Sequence, residues 1–343
     1  ISRSFFSEKL SLNLGLRTDA INFSSTMNNP LDQLSPRLAL SYNVTDEFSI
    51  NGNVGIYYQL PPYTTMGYRD ENGTLVNEDL KYIRSVHYVL GVAQIFKKVK
   101  GRLAVEGFFK DYSQYPFIYP EQISLANLGS DFEVIGNRPG TSTNNGRAYG
   151  VEFSYEQKLY EGFYGIGALT LVRSEFDGNI YDDQGNVSTA LIPSSWDNKA
   201  VVSITAGKKF GKNWEVGLQY QFSGGTPFTP YNLDATADKD NWDNIGRGIL
   251  DYNRLNTNRL EGFNNVNVRI DKKWYFNKFS LDVYFDVQNL LGTSIAGQPN
   301  IDTQKDANGN SIEDPNDPTK YLLRPLENSQ GTRLPSIGLI FEF

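Results

Sequence analysis

The chain has no cysteine, one histidine and two methionines, and each scarcity closes a route. Without cysteine there is no disulfide framework, no thiolate metal site and no thiol chemistry. No run of about 18 apolar residues occurs, which excludes a helical membrane protein. No block of Lys and Arg occurs either, and the net charge of −7 is spread along the chain, so nucleic acid is not an expected partner. The opening Ile1-Ser2-Arg3-Ser4-Phe5-Phe6 lacks an initiator Met, a basic stretch and an apolar stretch, as after removal of a signal peptide or in a fragment. No linker or change of composition divides residues 1–343, so one continuous architecture is expected.

What the chain does have is aromatic side chains, 21 Tyr and 21 Phe among them, on a polar background with a mean hydropathy of −0.44. Membrane β-barrels combine these two properties, because their strands put only every second residue into lipid. Strict alternation is the dominant pattern. Trp214, Val216, Leu218, Tyr220 and Phe222 interleave with Glu215, Gly217, Gln219 and Gln221, and Leu10, Leu12, Leu14 and Leu16 interleave with Ser11, Asn13, Gly15 and Arg17. A helix cannot use that period. Counting similar runs gives about twelve strands, most extendable to the length a tilted membrane strand requires.

Short and long connections take turns. Turns are expected near Ser7-Glu8, Thr45-Asp46, Val99-Lys100, Tyr160-Glu161, Gly211-Lys212 and Asn277-Lys278. Polar loops occupy roughly 18–34, 60–84, 117–145, 177–196, 224–260 and 291–331. Short periplasmic turns opposite long extracellular loops are the barrel arrangement. Trp214 and the run Trp274-Tyr275-Phe276 lie beside the short turns, where an aromatic girdle belongs. The chain closes on an alternating strand with Phe341 and Phe343, matching the terminal aromatic signal that bacterial barrels present to the barrel assembly machinery.

The segment Glu261 to Gly292 resembles the penultimate hairpin of TonB-dependent receptors of Bacteroidetes. Leu34 to Tyr42, Phe222 to Tyr231 and Leu334 to Phe343 are similar to a barrel strand, a strand-to-loop transition and the closing strand of that family. The resemblance implies an all-β, antiparallel barrel of about 22 strands closed by an N-terminal plug, of which this chain is the C-terminal part. It also implies an outer-membrane protein of a Gram-negative bacterium, surrounded by lipid, that imports a scarce bulky nutrient such as a siderophore, cobalamin, a glycan or a peptide. The TonB complex would act through a plug that this chain does not contain. A surface lipoprotein lid accompanies some members. No cofactor is implied.

Two other functions fit parts of the pattern: a self-contained passive porin of about twelve strands, and a barrel hydrolase using His87. The alternation places His87 on the face opposite Tyr88 and Leu90, toward the lumen, where a hydrogen-bonding role is the plainer reading. No nucleophile elbow, P-loop or H-E-x-x-H motif supports an enzyme. In the long loops Tyr63, Tyr68, Tyr115, Tyr119, Tyr231, Trp242 and Tyr252 are ligand-binding candidates; they either stack on ligand rings or pack the loops together. Asp306, Asn308 and Asn310 alternate oxygen ligands as the start of a calcium loop does, but Ser311 stands where that loop needs glycine. A solvated turn is the simpler reading.

Overall fold

A computed structural model describes residues 1–119, 122–128, 137–181, 184, 187–295, 297–326 and 331–343. Parts of the three loops expected at 117–145, 177–196 and 291–331 lie outside the described residues. One sheet dominates, with thirteen strands on a single path. These are β1 (Ser2–Phe5), β2 (Leu10–Arg17), β3 (Ser35–Asn43), β4 (Phe48–Gln59), β5 (Ile83–Phe96), β6 (Gly101–Ile118), β7 (Gly140–Tyr160), β8 (Phe163–Tyr181), β9 (Ala200–Phe210), β10 (Trp214–Ser223), β11 (Phe263–Tyr275), β12 (Ser280–Gln288) and β13 (Leu334–Glu342). Each pairs antiparallel with the next in sequence, and β1 and β13 end the path without pairing to each other.

The register follows from the alternation. Leu14, Leu38, Val54, Tyr88, Phe109 and Tyr149 form one row across six strands, and the first five are open to the surroundings. Ser11, Ser41, Asn51, Gly91, Glu106, Glu152 and Thr170 form a row on the other face. A slip of one residue would exchange these faces, so the sequence pins the register wherever one face meets hydrocarbon.

The short turns sit where the sequence places them, and several are built from left-handed residues. Glu161 and Gly162 both have positive φ, as do Lys212 and Asn213. Two successive positive φ angles are the hairpin turn whose twist matches its flanking strands. At position 162 a side chain is also excluded sterically, since a Cβ would lie 2.3 Å from the carbonyl oxygen of Lys209. At the Thr45 turn the hydroxyl accepts the amides of Glu47 and Phe48 at 3.2 and 2.9 Å.

At the opposite end the strands outrun the sequence pattern. β6 continues to Ile118, β7 begins at Gly140, and β8 reaches Tyr181 and pairs with a further strand, Val187–Pro193. Alternation stops marking strands there because both faces meet water, and backbone pairing persists without an apolar stripe. The loop at 224–260 holds two helices, Leu233–Ala237 and Lys239–Ile245, started by the side chains of Asn232 and Asp238 and ended at left-handed Gly246. The sequence shows no apolar period for segments this short.

The buried apolar clusters lie at the loop end of the sheet. Met27, Met66, Leu80 and Tyr82 form one, and Ile123, Ile192 and Leu255 another. A carboxylate with no exposed area ties the second region down: Asp197 accepts from Arg173 at 3.1 Å and from the Ser174 amide at 3.0 Å, and it also binds Arg259. Removing one partner of such a buried pair costs about 3–5 kcal/mol. Asp197→Ala is therefore expected to loosen the extracellular loops while leaving the strands paired. Limited proteolysis of the detergent-solubilised protein should show new cuts within 224–260 and an intact strand core; an unchanged digest would contradict this role for Asp197.

Candidate ligand-binding cavity

The loop end of the polar face opens into a cavity of about 1040 Å³. Strand ends supply its walls, because inward positions towards the loop ends of β2, β4, β5, β6 and β8 converge there: Arg17, Tyr57, Ser85, Tyr112 and Phe176. Loops add Tyr63, Tyr82 and Trp196. Tyr57 stacks on His87 with ring centroids 4.3 Å apart, and the Arg37 guanidinium lies 4.3 Å from the Tyr57 ring. Tyr112, Tyr115 and Phe176 form a second group with centroids between 4.7 and 6.3 Å apart. Arg17 is bound to Asp19 at 2.6 Å. One Asp19 oxygen is buried without a partner, leaving hydrogen-bonding capacity at the wall.

Of the aromatics singled out in the sequence, Tyr63 and Tyr115 line this cavity. The others serve the loops. Tyr119 bonds Thr141 at 3.0 Å and meets Phe117 edge-on, Trp242 is buried in its helix, and Tyr252 packs on the Ile123 cluster. Tyr231 lies over Gly248, where an added Cβ would meet its ring at 2.5 Å. Tyr68 lies within its own loop, where its carbonyl accepts the Val76 amide at 3.2 Å. Tyr57, Tyr58, Tyr82, Tyr112, Phe176 and Trp196 complete the lining without having been expected. Tyr57, Tyr112 and Phe176 are aromatics at polar-face positions towards the loop ends of their strands, a signal that alternation supplies, whereas Tyr58 has the opposite parity and packs against the Met27 cluster.

His87 lies on the inner face as expected, but its partner is a ring and not a hydrogen-bonding group. Among the described residues no serine or carboxylate is bonded to it, so the hydrolase arrangement is not assembled there. Of the residues expected to form a girdle, Trp214 and Trp274 are exposed on the apolar face with the Lys272 ammonium 5.3 and 5.4 Å from their rings. Tyr275 falls on the alternate face, 5.5 Å from Lys273. Phe276 stacks on Phe279, which in turn approaches Phe341 at 6.3 Å. Phe343 is fully exposed.

The Asp306 turn is closed by its own hydrogen bonds. Asp306 accepts the amides of Asn308 and Asn310 at 2.8 Å each, and the Asn310 side chain donates to it as well. These bonds, chiefly from Asn310, hold the Asp306 carboxyl below its ordinary 3.8, and the Thr319 hydroxyl and amide do the same for Asp317. Among the described residues no group of three metal-ligating side chains converges. Depressed carboxylates stabilise their loop above their unfolded pKa and lose that contribution as pH falls through the folded value. The segment 304–320 should thus keep its amide protection from neutrality down to 3.8 and lose it only below. Hydrogen exchange read against pH checks this, and loosening between pH 7 and 5 would contradict it.

The comparisons with known proteins agree with the fold. The family model described as TonB dependent receptor-like, beta-barrel, matches residues 3–290. Solved structures similar to the chain include the pyoverdine outer membrane receptor FpvA of Pseudomonas aeruginosa, at 15% identity and a TM-score of 0.55 over 88% of this chain and 37% of that one. The ferric-catecholate import receptor Fiu of Escherichia coli is 12% identical with a TM-score of 0.53, over 97% of this chain and 40% of that one. The outer membrane transporter YddB of Escherichia coli is 12% identical with a TM-score of 0.57, over 97% and 43%. No curated protein matches the sequence. The chain spans roughly two fifths of the length of these solved relatives. It belongs to the TonB-dependent receptor β-barrel family, whose members reside in the outer membrane of Gram-negative bacteria.

Proposed function

We propose that the chain is the C-terminal part of a plugged barrel of about 22 strands that binds a bulky nutrient at its extracellular end and imports it when the TonB complex acts on the plug. The observation that carries this reading is an aromatic cavity at the loop end of an antiparallel sheet whose two edges, β1 and β13, are both unpaired. A sheet crossing hydrocarbon cannot leave an edge open, because each unsatisfied backbone group there costs several kcal/mol. Two open edges favour completion by further strands over a porin made from this chain alone. FpvA was solved bound to pyoverdine and Fiu is an import receptor for ferric catecholates; both support transport over catalysis. The same reading gives the terminal Phe341 and Phe343 to the assembly machinery and the loop surface to a lipoprotein lid where one exists.

The test is the native polypeptide. Its intact mass from purified outer membranes should be well above 38.6 kDa, with plug peptides upstream of Ile1. Removing TonB should abolish nutrient accumulation without changing the amount of receptor in the membrane. A mass near 38.6 kDa combined with passive conductance in planar bilayers would overturn the proposal in favour of a porin.

A further inference from the structure

The outer face carries two cations on its apolar side, near the short turns. Lys208 on β9 and Lys272 on β11 share that side with their register neighbours Phe163, Trp214, Val216 and Ile270. Both ammonium groups are held in the same way. Lys208 lies 3.6 Å from the centre of the Phe163 ring and donates to the carbonyl of Glu161 at 2.8 Å. Lys272 lies 5.3 and 5.4 Å from the Trp214 and Trp274 rings and donates to the carbonyl of Lys212. Their sequence neighbours point inward and are paired, Lys209 with Glu215 and Lys273 with Glu342. Neither Lys208 nor Lys272 has a carboxylate within ion-pair distance among the described residues. This outer surface is complete within the chain, since β9 and β11 each have both sheet neighbours present and lie at least two strands from either edge. Strands that join at β1 and β13 add no side chain to it.

We propose that Lys208 and Lys272 bind the phosphate groups of anionic phospholipids in the periplasmic leaflet. An ammonium carries three N–H donors; each lysine gives one to a turn carbonyl and keeps the others for a phosphate oxygen, at the level where headgroups meet hydrocarbon. The ring and carbonyl contacts order both side chains beforehand, which lowers the cost of ordering them on a ligand. Along β10 the same face continues through Val216, Leu218 and Tyr220, a surface for acyl chains, so a phospholipid is matched at both its ends and a free phosphate at only one. The charge of the whole turn end points the same way. Eleven of the chain's 17 lysines, but only six of its 39 Asp and Glu, lie in the short turns or within four residues of them. In a chain of net charge −7 this end is the basic one, and basic side chains beside a bilayer attract anionic headgroups.

Native mass spectrometry of the full-length receptor in detergent, offered equal amounts of phosphatidylglycerol and phosphatidylcholine, tests the inference. Phosphatidylglycerol adducts are expected to predominate. A lysine beside anionic headgroups is worth about fivefold in affinity, so Lys208→Gln combined with Lys272→Gln should weaken phosphatidylglycerol binding by roughly 25-fold and leave phosphatidylcholine unchanged. Arginine at both positions should restore the preference. Lys98→Gln combined with Lys278→Gln removes two exposed turn lysines outside the site and should leave the preference intact. Circular dichroism should show every variant folded; if the glutamine pair fails to fold, the single variants carry the test. Equal retention of the two lipids by the native protein, or an unchanged preference without Lys208 and Lys272, would overturn the inference. So would an equal loss in the Lys98 and Lys278 variant, which would assign the effect to the charge of the whole rim. Displacement of the lipid by inorganic phosphate alone would reduce the site to a simple anion site, and a receptor dimer that excludes lipid would give this face to a second copy; either result also overturns it. None of these outcomes bears on the uptake reading.

Discussion

Backbone hydrogen bonding in a medium without water is the constraint on which the rest of this structure depends. Hydrocarbon offers no partner for an amide or a carbonyl, so a crossing strand must find both in its neighbours. The thirteen strands answer with unbroken antiparallel pairing from β1 to β13. With backbone groups satisfied sideways, side chains are left to solve only the solvent problem, and they do so by alternation. The row from Leu14 to Tyr149 and the row from Ser11 to Thr170 are two consequences of one ladder.

That ladder also explains where packing occurs. A soluble domain hides its apolar face in a core, whereas here Leu14, Leu90, Leu171, Ile337 and Leu339 are open because lipid is their solvent. Burial reappears where the membrane ends. Met27, Met66, Leu80 and Tyr82 come together among the loops, since loops in water must bury apolar area to be ordered at all. The short turns need no such cluster: Glu161-Gly162 and Lys212-Asn213 are fixed by backbone conformation and by lysine side chains, Lys208 and Lys272, that donate to the carbonyls of Glu161 and Lys212.

Legibility in the sequence followed the same boundary. Strand existence, face and register were readable from Leu10 to Arg17 or from Trp214 to Phe222 because lipid enforces a period of two. Above the membrane that enforcement stops, so the polar extensions of β6, β7 and β8 and the helices at 233–245 left no period to detect. The cavity was half readable for the same reason. His87 was placed on the inner face by parity, and Tyr57 and Tyr112 lay within readable strands but without a sign that they border a cavity, while Phe176 lay beyond the readable end of its strand. Loop aromatics such as Trp242 and Tyr252 carried no parity at all, and what they pack against depends on contacts between segments far apart in sequence.

The two kinds of order at the extracellular end have different strengths, and the difference bears on recognition. Exposed loop-to-loop pairs such as Lys320 with Asp234 and Lys239 with Glu313 contribute at most about 1 kcal/mol each. The buried Asp197 network contributes several times that when one partner is lost. Asp197 anchors the segment carrying Trp196 and bonds the amide of Ser174, both of which line the cavity. The outer loops are therefore held weakly to one another, while this wall of the cavity is held firmly to β8. Such an arrangement keeps the Trp196 ring preorganised at this wall, which lowers the ordering cost of any contact it makes.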